Sequence, residues 1–241
     1  MTKVGQPPKL IVRGKRLDGR APDQLRPIKI KAGVVPNAAG SAELSIGDTH
    51  VIVAVYGPRE VVPRHLARPD RVYLECIYDM TTFSTSDRNR PGPSRRSREI
   101  SKVTAEALGP AIFLEHYPKT ELDVYIEVIN ASAGTRTAAI TASAVALADA
   151  GIEMRDLVCS IAAGKIDGQL VLDLFEPEDN FGQADLPISI MPRTGEITLL
   201  QMDGDLTKEE LKKLLAMNQK ACQEIYKKQK AALKEKYEVK K

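Results

Sequence analysis

The chain has 241 residues, 43% hydrophobic and 28% charged, with a formal net charge of +3, so it can form one large or two small domains and its charge does not by itself indicate nucleic-acid binding. Its three cysteines, Cys76, Cys159 and Cys222, are widely spaced without a CxxC pair, which argues against a disulfide or zinc framework. Because no apolar run reaches transmembrane length and the N-terminus lacks a signal-peptide core, we expect a cytoplasmic protein.

Residues 1–26 are polar and rich in proline, arginine and turn-forming residues, as in RLDGRAPDQLRP. They predict an irregular N-terminal arm that precedes the main domain at 27–241. Two alternatives stay open from these residues. The arm is either solvated, or it docks on a partner subunit or near a basic channel.

From residue 27 the hydrophobic pattern has period two, which predicts consecutive antiparallel strands at 28–34, 41–46, 50–56 and 71–80. The following segment, 81–98, is predicted to be a loop, and it holds five arginines against one acidic residue. Such a loop is either solvated or contacts a phosphate backbone. A helix is predicted at 97–117, with Gly109-Pro110 as a kink, and a strand at 121–130.

The segment AGTRTAAITASAVALADAG predicts a buried helix, because small and apolar residues occupy all of its sides. Gly134, Thr135 and Arg136 at its start combine free backbone N–H groups, a hydroxyl and a guanidinium where the helix dipole favours an anion. From these residues alone, the segment is either a phosphate site or a threonine N-cap on a core helix.

The second half predicts a hairpin at 157–163 and 169–175, an acidic loop at 176–185, a hairpin at 188–191 and 197–202, and a long amphipathic helix at 207–237. Consecutive strands indicate mainly antiparallel pairing, so the predicted fold class is α+β. Two halves are expected, at 27–151 and 152–237.

Asp179 and Asp185 are the best carboxylate pair, because they are six residues apart with Gly182 between them. Such a pair fits Mg²⁺, although an acidic surface turn has the same sequence. Arginines that could hold a polyanion are Arg64, Arg95 and Arg96. Together with the anion turn, these features favour phosphoryl transfer, which depends on charge neutralisation and positioning.

These residues belong to longer motifs: RLDGRAPDQLRPI, GSAELSIGDTHVIVAVYGPRE, PRHL, MTTFST, PSRRSREISKV, AGTRTAAITASAVALADAGI and EDNFGQADLP. With them the chain resembles the RNase PH family of phosphate-dependent 3′→5′ exoribonucleases, and within it the catalytic subunits of archaeal exosomes. The resemblance implies an RNase PH fold of two βαβα-like halves that resemble the second domain of ribosomal protein S5. It also implies a hexameric ring in which this subunit alternates with an inactive paralogue, with RNA-binding cap subunits on one face.

The resemblance assigns the attacking inorganic phosphate to three residues: Gly134, Thr135 and Arg136. It assigns RNA to three arginines: Arg64, Arg95 and Arg96. It assigns catalysis and Mg²⁺ or Mn²⁺ binding to Asp179 and Asp185, with Asp179 as the better candidate for protonating the leaving 3′ oxygen. One departure is Ser132, where relatives commonly carry an aspartate, so no acidic role is expected at this position.

The activity implied is phosphorolysis of single-stranded RNA to nucleoside diphosphates and, in reverse, addition of 3′ tails. Two alternatives within the family are a homohexameric RNase PH that trims tRNA 3′ ends and a non-catalytic, RNA-binding ring subunit. Hydrolysis in place of phosphorolysis is the remaining chemical alternative.

Overall fold

The computed structural model describes residues 9–12 and 14–238, so the first eight residues of the predicted arm, Arg13 and the last three residues lie outside the description. The first half contains β1 (Ile11–Val12), β2 (Lys15–Arg16), β3 (Ile28–Ala32), β4 (Gly40–Ile46), β5 (Thr49–Glu60), β6 (Tyr73–Met80), α1 (Arg95–Leu108), β7 (Thr120–Asn130) and α2 (Thr135–Asp149). The second contains β8 (Cys159–Ile166), β9 (Gln169–Leu172), α3 (Glu176–Phe181), β10 (Ala184–Met191), β11 (Glu196–Leu200), β12 (Asp203–Gly204) and α4 (Lys208–Tyr237). None of the helices in the described ranges is long and apolar enough to cross a membrane.

Two five-stranded sheets form the frame, in agreement with the predicted α+β class. The first has the order β3-β4-β5-β7-β6, and all its pairs are antiparallel except β6 with β7. The second has the order β11-β10-β8-β9, with β12 also paired to β10. The parallel pair arises because α1 connects the two strands, as a crossover between parallel neighbours requires.

Helix α2 lies at the centre of the core, as its small and apolar residues predict. Thirteen of its fifteen residues are buried, and it packs on β4 and β5 of the first sheet and on β8 of the second. The contact is close at Gly40, where an added Cβ would lie 2.1 Å from the backbone N of Ala150. A side chain at this position would therefore push the helix away from the sheet.

Three predicted boundaries were wrong. Helix α1 begins at Arg95, inside the predicted loop 81–98, because Ser94 and Ser97 form a capping box. It ends at Leu108, where Gly109-Pro110 starts a 3₁₀ turn and terminates the helix. The predicted acidic loop 176–185 is instead the short helix α3 followed by the start of β10.

The N-terminal segment is only partly solvated, because most of its described residues are exposed but three of its arginines are buried. Docking on a partner subunit stays a prediction. Arg16, Arg20 and Arg26 are buried against the same chain. Arg16 forms an ion pair with Glu178, and Arg26 Nη2 lies 2.7 Å from Asp173 Oδ1. Buried guanidinium groups require such partners. The partners lie about 150 residues further along the chain, where no local sequence pattern reveals them.

Candidate active site

The start of α2 is a turn without a side-chain cap. Gly134 is the N-cap residue, with φ of 66° and without a side-chain cap, so the predicted threonine N-cap was wrong. The first helical hydrogen bond runs from Ala138 N to Gly134 O, at 3.0 Å. The backbone N–H groups of residues 135–137 therefore precede the helical hydrogen-bond ladder and, with the helix dipole, favour an anion.

Arg136 is held over this turn from two sides. Its Nη2 lies 3.0 Å from both carboxylate oxygens of Glu99 on α1, and its Nη1 lies 2.5 Å from Oε1 of Gln201, directly after β11. The Nε atom is buried and has no hydrogen-bond partner within the described residues. The guanidinium therefore has a fixed position and one unsatisfied donor.

Tyr78 connects the first sheet to the same turn. Its hydroxyl donates to Thr135 Oγ1 at 2.9 Å. Burial raises the pKa of Tyr78, so the phenol stays neutral and available as a donor, while the neighbouring Arg96 acts in the opposite direction. Arg96 lies in the first turn of α1, which the capping serine Ser94 fixes. Tyr78 thus lies next to both Arg96, which was predicted to contact RNA, and Thr135 of the turn that was predicted to bind phosphate.

The two predicted acidic residues lie close enough to Arg136 for its charge to act on both carboxyls. Burial, followed by the negative charge of Asp179, raises the pKa of Asp185 to about 7. Burial also raises the pKa of Asp179, while Arg96 and Arg136 lower it. Because Asp179 is exposed to solvent, we expect its rise to be the smaller one. The charge of Arg136 thus acts on both carboxyls, and that of Arg96 acts on Asp179.

A cavity of about 270 Å³ lies beside this pair and is lined by Asp179, Asp185 and Asp203, among others. The described residues contain no group of three or more acidic, histidine or cysteine side chains suited to a metal ion. The donors nevertheless fit a hard cation that keeps several waters, because Asp185 Oδ1 is buried there without a hydrogen-bond partner in the described chain.

The structure brings together most of the predicted site residues: Arg96, Gly134, Thr135, Arg136, Asp179 and Asp185. Arg95 is exposed on the same first turn of α1. Arg64 lies elsewhere: its side chain is 87% exposed and pairs with Glu60 at the far end of β5. Thr49, at the other end of β5, contacts Ala133 before the turn, so Arg64 lies past the end of the strand that is opposite to the turn.

Several side chains around the site were not predicted from the sequence: Tyr78, Glu99, Gln201 and Asp203. Tyr78 reads as a core position of an alternating strand, and Glu99 as one polar residue among many on a helix. The sequence therefore carried no usable signal for them.

Ser132 precedes the turn without supplying a charge. Its backbone oxygen accepts a hydrogen bond from Arg26 Nη1 at 2.6 Å, and its N–H donates to Thr49 Oγ1 at 3.1 Å. The carboxylate that neutralises Arg26 is that of Asp173. Position 132 thus contributes backbone contacts to the site.

Two family models match the chain: "3' exoribonuclease family, domain 1" at residues 24–153 and "domain 2" at residues 156–221. The chain is 56% identical over 224 residues to "Exosome complex component Rrp41" of Methanopyrus kandleri, which covers 93% of this chain and 94% of that protein. It is 57% identical to the protein of the same name from Pyrococcus furiosus, over 93% of this chain and 90% of the other.

Two solved structures have a similar fold at lower sequence identity. Rice Rrp46 superposes with a TM-score of 0.82 at 24% identity, covering 91% of this chain and all of that one. A chain of the Archaeoglobus fulgidus exosome, solved with RNA bound to the active site, superposes with a TM-score of 0.77 at 22% identity, covering 93% of each chain. These likenesses support the architecture of the two sheets and four helices.

Proposed function

Since the chain belongs to the RNase PH family of 3′ exoribonucleases, we propose that it is the catalytic subunit of an archaeal exosome, which degrades single-stranded RNA from its 3′ end by phosphorolysis. The RNase PH fold expected from the sequence is confirmed. The identity of 56–57% to proteins named Rrp41 supports the exosome assignment.

One observation in the structure carries the chemistry. Arg136 Nε and Asp185 Oδ1 are both buried without hydrogen-bond partners among the described residues, beside an open helix N-terminus. Leaving a buried polar group unsatisfied costs about 1–3 kcal/mol, so such groups need an explanation. Arg136 Nε is a donor, which fits a bound phosphate. Asp185 Oδ1 is an acceptor, which fits a proton or a cation.

In the proposed reaction, the N–H groups of the turn, Thr135 and Arg136 hold inorganic phosphate. Arg95 and Arg96 hold the RNA backbone. An oxygen of the phosphate attacks the terminal phosphorus, the bond from phosphorus to the 3′ oxygen breaks, and a nucleoside 5′-diphosphate leaves. Positioning and charge neutralisation supply most of the rate increase in such transfers.

The leaving 3′ oxygen needs a proton. Burial, followed by the negative charge of Asp179, raises the pKa of Asp185 to about 7, so the acidic pair can hold a proton near neutral pH. We assign the donation to Asp179, since it is the more exposed member and can reach the RNA. We further propose that Mg²⁺ or Mn²⁺ binds at Asp179 and Asp185 and neutralises developing negative charge.

We also propose that this chain works as part of a ring with other subunits. We expect three copies of this chain to alternate with an inactive paralogue, with RNA-binding cap subunits on one face. Arg64, far from the acidic residues, then has its predicted role along the path by which RNA enters. A cytoplasmic location likewise stays a prediction.

The test is to incubate the chain, alone and with its ring partner, with RNA and inorganic phosphate. Nucleoside diphosphates should form only when phosphate is present, and Arg136→Ala and Asp179→Ala should abolish their formation. Arg155→Ala, which removes an exposed arginine paired with Glu115, is the matched control. Monophosphate products, or full activity of Arg136→Ala, would contradict the proposal.

The alternatives predict different outcomes. A homohexameric RNase PH would give a ring of this chain alone, which mass measurement of the purified assembly detects. A non-catalytic subunit would bind RNA but release no nucleotide in any combination. The presence of the phosphate turn, the paired arginines and both acidic residues favours the catalytic subunit.

A further inference from the structure

Glu99 and Gln201 have no part in the proposed reaction, yet both contact Arg136. Glu99 lies on α1, three residues after Arg96, and 37 residues separate it from Arg136. Gln201 belongs to the second half of the chain, 65 residues beyond Arg136. The two side chains also contact each other, with Gln201 Nε2 lying 3.4 Å from Glu99 Oε1. Three distant segments therefore converge on one guanidinium.

We propose that Glu99 and Gln201 are positioning residues that fix Arg136 for binding the attacking phosphate. This inference rests on the proposed function, in which Arg136 binds that phosphate. It adds that the arginine depends on α1 and on the segment after β11 for its orientation.

The geometry indicates that the contacts of Glu99 and Gln201 orient Arg136 and add little to the stability of the fold. The Arg136 side chain is 25% exposed and that of Glu99 is 45% exposed, so solvent screens their charge interaction. Fixing a free arginine side chain costs rotamer entropy, and these two contacts meet that cost during folding rather than during phosphate binding. Glu99 bonds Nη2 and Gln201 bonds Nη1, which orients the plane of the guanidinium before phosphate arrives.

The contacts also couple two parts of the site. Arg95 and Arg96, which we assign to RNA, lie on the same helix as Glu99. A shift of α1 would move the RNA arginines and, through Glu99, the phosphate arginine together. The Glu99 carboxylate thus links the arginine assigned to phosphate with the helix that carries the arginines assigned to RNA.

The experiment uses the chain assembled with its ring partner and measures the KM for inorganic phosphate, the KM for RNA and kcat. Glu99→Ala should raise the KM for phosphate about tenfold, because a hydrogen bond to a charged group is lost, and leave the KM for RNA within twofold. Glu99→Gln should recover most of the loss, since its amide oxygen still accepts from Nη2. Gln201→Leu should act like Glu99→Ala.

Glu106→Ala is the matched control, because Glu106 lies on the same helix and pairs only with the exposed Lys102 at 3.8 Å. An unchanged or lowered KM for phosphate in Glu99→Ala overturns the positioning role. Arg136→Ala separates the two proposals. If it keeps full phosphorolysis, the assignment of Arg136 fails. If Arg136→Ala is inactive while Glu99→Ala behaves as wild type, only the positioning role fails.

Discussion

The guanidinium of Arg26 and the carboxylate of Asp173 form a buried ion pair, with 2.7 Å between Nη2 and Oδ1, although 147 residues separate them in the chain. Arg26 also donates from Nη1 to the backbone of Ser132, just before the phosphate turn. The pair therefore joins that turn to the strand end that leads into the acidic helix α3.

Asp173→Asn should destabilise the protein strongly, because it leaves Arg20 and Arg26 buried without their shared carboxylate. Breaking a buried pair costs about 3–5 kcal/mol, which urea unfolding monitored by circular dichroism can measure. Asp70→Asn is the control: Asp70 pairs with Arg71 on the surface, where solvent screens the charges, so the change should leave stability nearly unchanged. Equal effects of the two substitutions would show that the buried pair is dispensable.

Asp185 should make stability depend on pH. Its pKa is about 7 in the folded protein against an ordinary value of 3.8, so the folded state keeps the proton longer than the unfolded state. The free energy of unfolding should therefore fall as pH rises from about 4 to about 7. Asp185→Asn has no ionisable carboxyl at this position, so it should not show this fall in the free energy of unfolding.

We expect Asp185→Asn and the wild type to be equally stable below pH 4, and the variant to be more stable above pH 7 by on the order of a few kcal/mol. Unfolding curves recorded with a chelator across this range test it. A difference that is constant with pH would mean that the carboxyl is not perturbed.

Gly134→Ala should weaken phosphate use more than it weakens the fold. A Cβ at this left-handed position would lie 3.2 Å from Arg26 Nη2, whereas Gly168, with φ of 74°, has free space around it. Both alanine substitutions should cost about 1–2 kcal/mol of backbone strain. Only Gly134→Ala should also raise the KM for phosphate, and a rise with Gly168→Ala would contradict this explanation.

Tyr78→Phe should loosen Thr135. The substitution removes the hydroxyl that donates to Thr135 Oγ1 and should cost about 1 kcal/mol of stability. It should also raise the KM for phosphate by a few fold, measured by diphosphate release. Tyr125→Phe, the same change at a partly exposed position of β7, is the control and should leave that KM unchanged.

The sequence was sufficient for most of the fold, because local patterns determine most of its elements. Alternation predicted β3, β4 and β5, and the amphipathic pattern from residue 207 predicted α4, whose start is fixed by a capping box between Thr207 and Glu210. The errors at Ser94 and in the acidic segment have one cause. The polar residues that begin α1 and make up most of α3 show no apolar period, so neither stretch was recognised as helical.

The candidate site was predictable only where its residues carry chemistry within one short motif. Gly134, Thr135 and Arg136 were found for this reason, as were Asp179 and Asp185. Glu99 and Gln201 were not found, since their importance lies in contacts across 37 and 65 residues of chain. The burial of Arg16, Arg20 and Arg26 was not predicted, because their polar segment resembles a solvated arm until its carboxylate partners are known.

The buried arginine segment has a consequence for how the protein is made. During synthesis Arg16, Arg20 and Arg26 leave the ribosome long before Asp173 and Glu178, which neutralise them in the finished fold. A chain interrupted at residue 170 would carry the turn at Gly134 and these arginines, but neither Asp179 nor Asp185. Completion of the second half therefore supplies, in one segment, the carboxylates that pair with these buried arginines and the acidic pair of the candidate site.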